Sequence, residues 1–268
     1  MLDNWLTPAI EPHRQRLDLI GHRVVHGGEQ FTAPTLITPE VESQLKELIP
    51  LAPLHNPPAL KGLSWARQRA PGCPQWACFD TAFHSSLPAA ASTYAIPQPF
   101  RARGFRRFGF HGINHQHVAE SVGQRWQQQG RDPANLRLIS AHLGAGASLA
   151  AIKGGVCIDT TMSFTPLEGL VMATRSGSID PGLLLEMMRE GYGADAMAAS
   201  LRGVDVVALT GGIGEHDKQL QVELRQALGW WGNVNMIVIP ADEEGMIARL
   251  CRRHSAPDQT SDRSAAIG

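Results

Sequence analysis

Three observations in this 268-residue chain predict an α/β fold. Runs rich in Val, Ile and Leu alternate with stretches of helical spacing. Near the middle, three short strand-like runs are joined by glycine turns, the pattern of an antiparallel meander. A helix, a strand, a glycine run and another helix then follow.

In chain order, the first 15 or so residues carry no strong periodicity. Leu19 to Gly28 reads as a short strand broken by a glycine pair. Thr38-Pro39-Glu40 opens a helix, with a hydroxyl cap, a proline in the first turn and acids near the positive end. It runs to about Leu48, and Pro50, Pro53, Pro57 and Pro58 end it in a loop that holds His55 and Asn56. Ala59 to Arg69 forms a second helix, stopped by Pro71-Gly72. Trp76 to Asp80 is a buried strand ending on a carboxylate. Tyr94 to Arg107 is a loop, and Phe108 to Gly112 a tight turn before a helix from His115 to about Gln129. Leu136–His142, Ser148–Ile152 and Val156–Thr160 make the meander. A helix from about Pro181 to Glu190 and a strand from Val204 to Leu209 come next. That strand runs into a turn at Gly211-Gly212-Ile213-Gly214, then a helix from Lys218 to Leu228. Val234–Ile239 is the last strand and Glu243–Arg252 the last helix, and the polar stretch 255–268 is expected to fray.

Composition narrows the class. Lys+Arg number 24 against 25 Asp+Glu, so no net field draws nucleic acid or an anionic membrane. With 43% hydrophobic and 18% charged residues the chain is not expected to be disordered. No apolar run approaches the roughly 18 residues of a membrane helix, and the opening lacks a signal-peptide pattern. Cys73, Cys78, Cys157 and Cys251 show no C-x-x-C spacing and no partner cluster, which suits reduced thiols. The expectation is a soluble cytoplasmic globule of one large domain or two modest ones.

Two glycine segments follow strands directly: His142-Leu143-Gly144-Ala145-Gly146 and Gly211-Gly212-Ile213-Gly214-Glu215. Glycine lets backbone N–H groups approach a phosphate, though a plain hairpin or strand–helix turn is the commoner meaning of such short strings. Neither is a Walker A loop. Arg23 lies inside an apolar strand and Arg175 beside a turn, and a guanidinium fork suits carboxylate and phosphoryl oxygens, although a surface salt bridge is the commoner role of any single arginine. His111-x-x-x-His115-x-His117 is split by a turn and lacks an acidic or cysteine partner, so it reads as structure rather than metal site. His111 and His55 read as positioned donors to an anion. Asp80 stands at a strand's carboxyl end, where open α/β sheets bind ligands, or caps the next turn.

The meander and the elements after it resemble one half of the two-lobed actin-like ATPase (ribonuclease H-like) fold. Taken together, the ordered strings resemble acetate kinase and its propionate-kinase relatives: Gly21 to Glu29, Ala52 to Pro57, Phe79 to His84, Gly109 to Gly112, Phe164 to Leu170, Thr174 to Gly177, Thr210 to Glu215 and Asp242 to Glu244. The resemblance covers roughly residues 19 to 252. It implies reversible transfer of the ATP γ-phosphoryl group to acetate or propionate, giving an acyl phosphate. Arg23 and Arg175 would hold the carboxylate and the moving phosphoryl group, and His111 would stabilise its oxygens. Asp80 would be an acid/base or metal-linked carboxylate. Val25, Leu54, Phe110 and Pro166 would wall a pocket for the substrate's methyl group. His142, Leu143, Gly144, Ala145 and Gly146, with Gly212, Ile213, Gly214, Glu215 and His216, would line the ATP site, and Glu243 would help hold Mg²⁺.

Departures from the family's pattern carry their own expectations. The serine-rich N-x-G-S-S-S-x-K phosphate loop has no counterpart, so the amino-terminal lobe is expected to be incomplete. Between Ala199 and Val204 the chain joins directly where relatives carry a helical insert with a D-x-R segment. Ala145 stands where Asn is common, Ser163 where Gly is common, and Ile113-Asn114 where Thr-Ser is common. The lobes implied are residues 1–82 completed by helix 243–254, and residues 83–242, with 255–268 as a frayed tail. Impaired stability and weak or absent kinase activity are expected. The alternative is a non-catalytic relative that binds nucleotide or a partner subunit. Relatives form homodimers through the carboxyl-terminal lobe, and the shortened insert argues against a dimer here.

Overall fold

The computed structural model describes residues 7, 11–172, 175, 177–178, 206–227 and 235–255. Strand β1 (Ile20–Val24) is followed by β2 (Thr35–Leu36) and by helix α1 (Pro39–Glu47). The Thr38 hydroxyl accepts a hydrogen bond from the Val41 N–H at 3.3 Å, so the capping signal in the sequence acts where it was read. Helix α2 (Asn56–Arg69) begins three residues earlier than the proline cluster suggested. Pro57 and Pro58 sit in its first turn, where a missing N–H costs nothing. The buried Asn56 amide accepts from the His26 N–H (3.2 Å) and donates to the His26 carbonyl (3.1 Å), so α2 starts where it grips the chain leaving β1.

Strand β3 (Gln75–Phe79) completes a three-stranded sheet of order β1-β3-β2, in which β1 pairs parallel and β2 antiparallel to β3. The two-residue β2 was invisible to periodicity. Helix α3 (Gly112–Gln128) then leads into the meander β4 (Arg137–Leu143), β5 (Ala147–Lys153) and β6 (Val156–Thr160). Strand β7 (Val206–Thr210), helices α4 (Gly211–His216) and α5 (Lys218–Ala227), strand β8 (Asn235–Val238) and helix α6 (Glu243–Ser255) follow. The second sheet has the order β6-β5-β4-β7-β8, antiparallel through β6, β5 and β4 and parallel from β4 to β8.

Alternate side chains of this sheet fill two cores. Leu138, Ala150, Ile152, Val206 and Ala208 pack with Val118 and Val122 of α3 on one face. Ile139, Ala141, Leu149, Ala151, Val207 and Leu209 form the other. Burial on both sides explains why these strands read as near-continuous apolar runs. Helix α6 returns to the first sheet, where Met246, Ile247, Leu250 and Cys251 pack with Cys78 and Ile113. Among the described residues no helix is long and apolar enough to cross a membrane.

Two sequence readings need correction. The glycine run after β7 is helix α4 itself: Gly211 turns the chain at a positive φ of 79°, and the Glu215 carboxylate caps its N–H at 2.8 Å. The cysteines do contain a pair, because α6 carries Cys251 Sγ to 3.6 Å from Cys78 Sγ in β3, both buried as free thiols. The proposed helix 181–190 and the junction 199–204 lie outside the described residues.

Ser163 Oγ and Asn114 Oδ1, at two positions read above as departures from the resembled pattern, are buried without a hydrogen-bond partner. An unpaired buried polar group costs about 1–3 kcal/mol. Ser163→Ala is therefore predicted to raise unfolding stability by about 1 kcal/mol, measured as a higher urea midpoint. A lower midpoint would show that the hydroxyl is bonded in solution.

Candidate active site

The site grows from the carboxyl end of β3. Asp80 follows that strand and is buried, and both its carboxylate oxygens accept from Arg23 of β1, from Nε at 3.1 Å and from Nη2 at 2.6 Å. Arg23 keeps 44% of its side chain exposed, so its remaining N–H groups face outward from the pair. Asp80 raises the Arg23 pKa. Burial pushes the Asp80 carboxyl upward, while the Arg23 guanidinium and then His55 pull it down. The Asp80 carbonyl accepts the Gly112 N–H at 2.8 Å, and a Cβ at Gly112 would collide with that carbonyl. Only glycine allows α3 to start this close to β3.

His111, immediately before α3, is the one non-glycine residue with positive φ (57°) among the described residues. Left-handed backbone is costly for a side chain bearing Cβ, so its retention marks a constrained position. Its Nδ1 lies 2.9 Å from Ser148 Oγ, and its ring stacks on His142 with centroids 4.1 Å apart. Burial holds the His111 pKa well below 6.5, and His142, Arg23, His84 and Arg175 push it further down. The imidazole is therefore neutral at pH 7, within the electrostatic reach of both Arg23 and Arg175.

The β4–β5 turn closes the site. A Cβ built on Gly146 would lie 3.3 Å from His111 Nε2 and 3.6 Å from Arg175 Nη1, so the missing side chain leaves space where the two donors meet. Arg175 Nη1 donates to the Pro166 carbonyl at 2.8 Å. Gly211 packs on the Leu143 backbone, which brings the two glycine segments together at the carboxyl ends of the parallel neighbours β4 and β7. Ligands of open α/β sheets bind at such ends.

Arg23, Asp80, His111, Arg175 and the 142–146 turn are thus linked by hydrogen bonds, ring stacking and electrostatic reach, with Gly214 against Leu143 at the same strand ends. Glu215 is committed elsewhere: its Oε1 accepts from the Gly211 and Ala241 N–H groups, both at 2.8 Å. His216 Nδ1 donates to the Gly212 carbonyl within the same helix, at 2.9 Å. Val25 and Phe110 join Ala147, Met162 and Met172 in an apolar cluster beside the site. Leu54 is 82% exposed and outside that cluster, because it lies on the turn that precedes α2. Glu243, at the start of α6, is pushed upward by burial, against the opposing pull of Arg23. Sequence reading missed Ser148, Ser140 and Asn114. Asn114 Nδ2 donates to His142 Nδ1 at 2.7 Å and so fixes the ring that stacks on His111.

The acetokinase family model matches residues 1–196. The chain is 53% identical over 189 residues to an acetate kinase from Synechococcus sp., a match covering 70% of this chain and 46% of that one. It is 38% identical over 314 residues to an acetate kinase from Gloeobacter violaceus, covering 89% of this chain and 77% of the relative. Among solved structures, it is similar to Porphyromonas gingivalis acetate kinase, with a TM-score of 0.77, 34% identity, and coverage of 88% of this chain and 77% of that one. A propionate kinase from Francisella tularensis gives a TM-score of 0.79 at 30% identity, covering 93% and 82% of the two chains. The Gloeobacter alignment runs to 314 positions while using 89% of a 268-residue chain, so that relative holds internal residues with no counterpart here.

The buried histidines make stability depend on pH. Burial lowers His26 and His84 to about 4, whereas an unfolded histidine titrates near 6.5. As pH falls from about 6.5 toward 4, the unfolded chain takes up protons that the folded one refuses. Their contribution is thus intact above pH 6.5 and lost on acidification, by up to ~1.4 kcal/mol per pH unit for each histidine. Urea midpoints are predicted to be flat from pH 7 to 8 and to drop steeply between pH 6.5 and 5. A level profile across that window would show that these rings titrate normally.

Proposed function

The chain belongs to the acetokinase family, and from that premise we propose that it moves a phosphoryl group reversibly between ATP and a short carboxylate, acetate or propionate, giving an acyl phosphate. The observation that carries this reading is the meeting of His111 Nε2 and Arg175 Nη1 over Gly146, with Arg23 close enough to act electrostatically on His111.

A phosphoryl group in flight spreads negative charge over three equatorial oxygens, and its transfer asks mainly for positioning and fixed positive charge. Arg175 and the outward N–H groups of Arg23 supply that charge, and His111 adds a neutral donor. The carboxylate substrate is already ionised at pH 7 and needs no general base. Asp80 fits that economy: with both oxygens engaged by Arg23, it acts by aiming the guanidinium rather than by taking a proton. Val25, Phe110 and Pro166 face the substrate's methyl group. The nucleotide lies along His142–Gly146 and Gly212–Gly214.

Magnesium commonly takes one or two carboxylates and leaves its other positions to water and phosphate. Glu243 fits, since its carboxylate makes no ion pair among the described residues and sits within the electrostatic reach of Arg23 and Asp80. When bound, the ion neutralises charge on the β- and γ-phosphates. The two sheets are the cores of two lobes, residues 1–82 with helix 243–254 and residues 83–242. The near-neutral charge and four free cysteines support a cytoplasmic enzyme without nucleic-acid or membrane partners.

A second reading, nucleotide binding without turnover, is favoured by the internal residues that the Gloeobacter relative has and this chain lacks. Hydroxylamine trapping of acyl phosphate from MgATP with acetate or propionate decides between them. Product is predicted with the unaltered chain, and His111→Ala and Arg175→Ala each lower kcat by about 10²–10³-fold. No product, with ATP binding seen by calorimetry, selects the second reading. Neither product nor binding overturns both.

A further inference from the structure

Behind His111 runs a buried chain of hydrogen-bonding groups. His111 Nδ1 is 2.9 Å from Ser148 Oγ, which is 2.8 Å from His115 Nε2, and His115 Nδ1 is 2.8 Å from Ser140 Oγ. The geometry follows from two periodicities. His111 and His115 are one helical turn apart, Ser140 and His142 are two apart on β4, and Ser148 pairs with His142 across the meander. Ser140, Ser148 and His115 are all fully buried. Ser140 Oγ and Ser148 Oγ have no other hydrogen-bonding partner among the described residues.

We infer that this chain is a positioning device: Ser140, His115 and Ser148 fix His111 as the tautomer that carries its proton on Nε2, so that a neutral N–H faces the open space beside Gly146. Counting hydrogens gives the direction. Each neutral imidazole has one N–H and each serine one O–H. If Ser140 donates to His115 Nδ1, His115 donates from Nε2 to Ser148, and Ser148 donates to His111 Nδ1, all three buried hydrogens are used. The remaining proton, on His111 Nε2, points to the site. In the reverse direction Ser140 must accept from His115, and its own hydrogen is stranded in a buried position without an acceptor, which native interiors avoid. That direction would also turn a lone pair on His111 Nε2 toward any anion.

The neutral state of both rings agrees with this count, since burial holds His111 and His115 well below 6.5. The rest of the surroundings enforce it. Arg23 and Arg175 oppose a charged imidazolium, and the stacked His142 has its own Nδ1 occupied by Asn114. His111 can thus donate a hydrogen bond to an anion without first gaining a proton. What the donor acts on rests on the phosphotransfer reading; the tautomer itself does not.

The test is the tautomer. In the full chain labelled with ¹⁵N-histidine at pH 7.5, long-range ¹H–¹⁵N correlation distinguishes Nε2–H from Nδ1–H rings, and the His111→Gln variant identifies the His111 signals. The inference requires an Nε2–H pattern for His111 in the unaltered chain. Ser148→Ala loses that pattern to a mixture of tautomers, whereas Ser148→Thr, which keeps the hydroxyl, retains it. In the acyl phosphate assay Ser148→Ala lowers kcat by about 10- to 100-fold with KM little changed, and Ser148→Thr restores most of the rate. An Nδ1–H ring or an imidazolium in the unaltered chain overturns the inference, as does an unchanged spectrum in Ser148→Ala. Should Ser148→Ala fail to fold, the spectrum of the unaltered chain still decides. An Nε2–H ring in a chain that makes no acyl phosphate would sink the kinase reading alone. Turnover with an Nδ1–H ring would sink this inference alone.

Discussion

Asp80 is the constraint on which the site depends. Its side chain holds Arg23 from the neighbouring strand, and its carbonyl holds the first N–H of α3. One residue at the end of β3 thereby sets both the direction of a guanidinium and the starting point of the helix that carries His111 and His115. A buried carboxylate survives only when paired, and removing one partner of such a pair typically costs 3–5 kcal/mol, because the other charge is left stranded. Arg23 itself remains partly solvated, which lowers the cost of the pair and leaves N–H groups for a ligand. The same carboxylate is at once the anchor of a strand pair and the support of a binding group.

The second feature is the absence of protonated histidine where histidines are dense. His84, His111, His115 and His142 crowd together, with ring centroids 4.1 to 6.3 Å apart between contacting members. Burial keeps each of them neutral. Charging any one would place a cation beside other rings, and for His111 and His142 also within the electrostatic reach of Arg23. The cluster accordingly works through fixed hydrogen bonds: His84 donates to the Phe110 carbonyl at 2.9 Å and accepts from Cys157 at 3.1 Å. The strained backbone of His111 is held on one side by Asp80 and Gly112 and on the other by Ser148.

Much of this was legible in the sequence because it depends on local signals. The Thr38 cap, the glycine-punctuated meander and the carboxylate ending β3 each follow from residue type and spacing over a few positions. What escaped depends on partners distant along the chain. Cys78 and Cys251 are 173 residues apart, and no spacing rule reaches that far. Asn56 reads as a loop residue until the structure shows its amide gripping His26. Leu54 matches the family's string, yet the string alone cannot say that the turn turns its side chain outward. Glu215 reads as a site residue by its place after glycines, but its carboxylate satisfies the Gly211 N–H and, from farther along the chain, the Ala241 N–H. Ser140 and Ser148 have apolar neighbours on both sides, and only the register of β4 on β5 sets both beside His115.

These commitments limit the chemistry. Asp80 is engaged by Arg23 and Glu215 by backbone donors, and the clustered histidines are neutral with their Nδ1 atoms bonded. Glu243 and Glu244 lie within the electrostatic reach of Arg23 and form no ion pair among the described residues. Such a space is poor at removing a proton from a neutral alcohol, the first need of a kinase acting on a hydroxyl group. It is well suited to a nucleophile that arrives ionised, because the two guanidinium groups can hold that anion and the phosphoryl oxygens without any proton changing place. The carboxylate acceptor proposed above suits the groups already engaged here, as much as the apolar cluster that Val25 and Phe110 join.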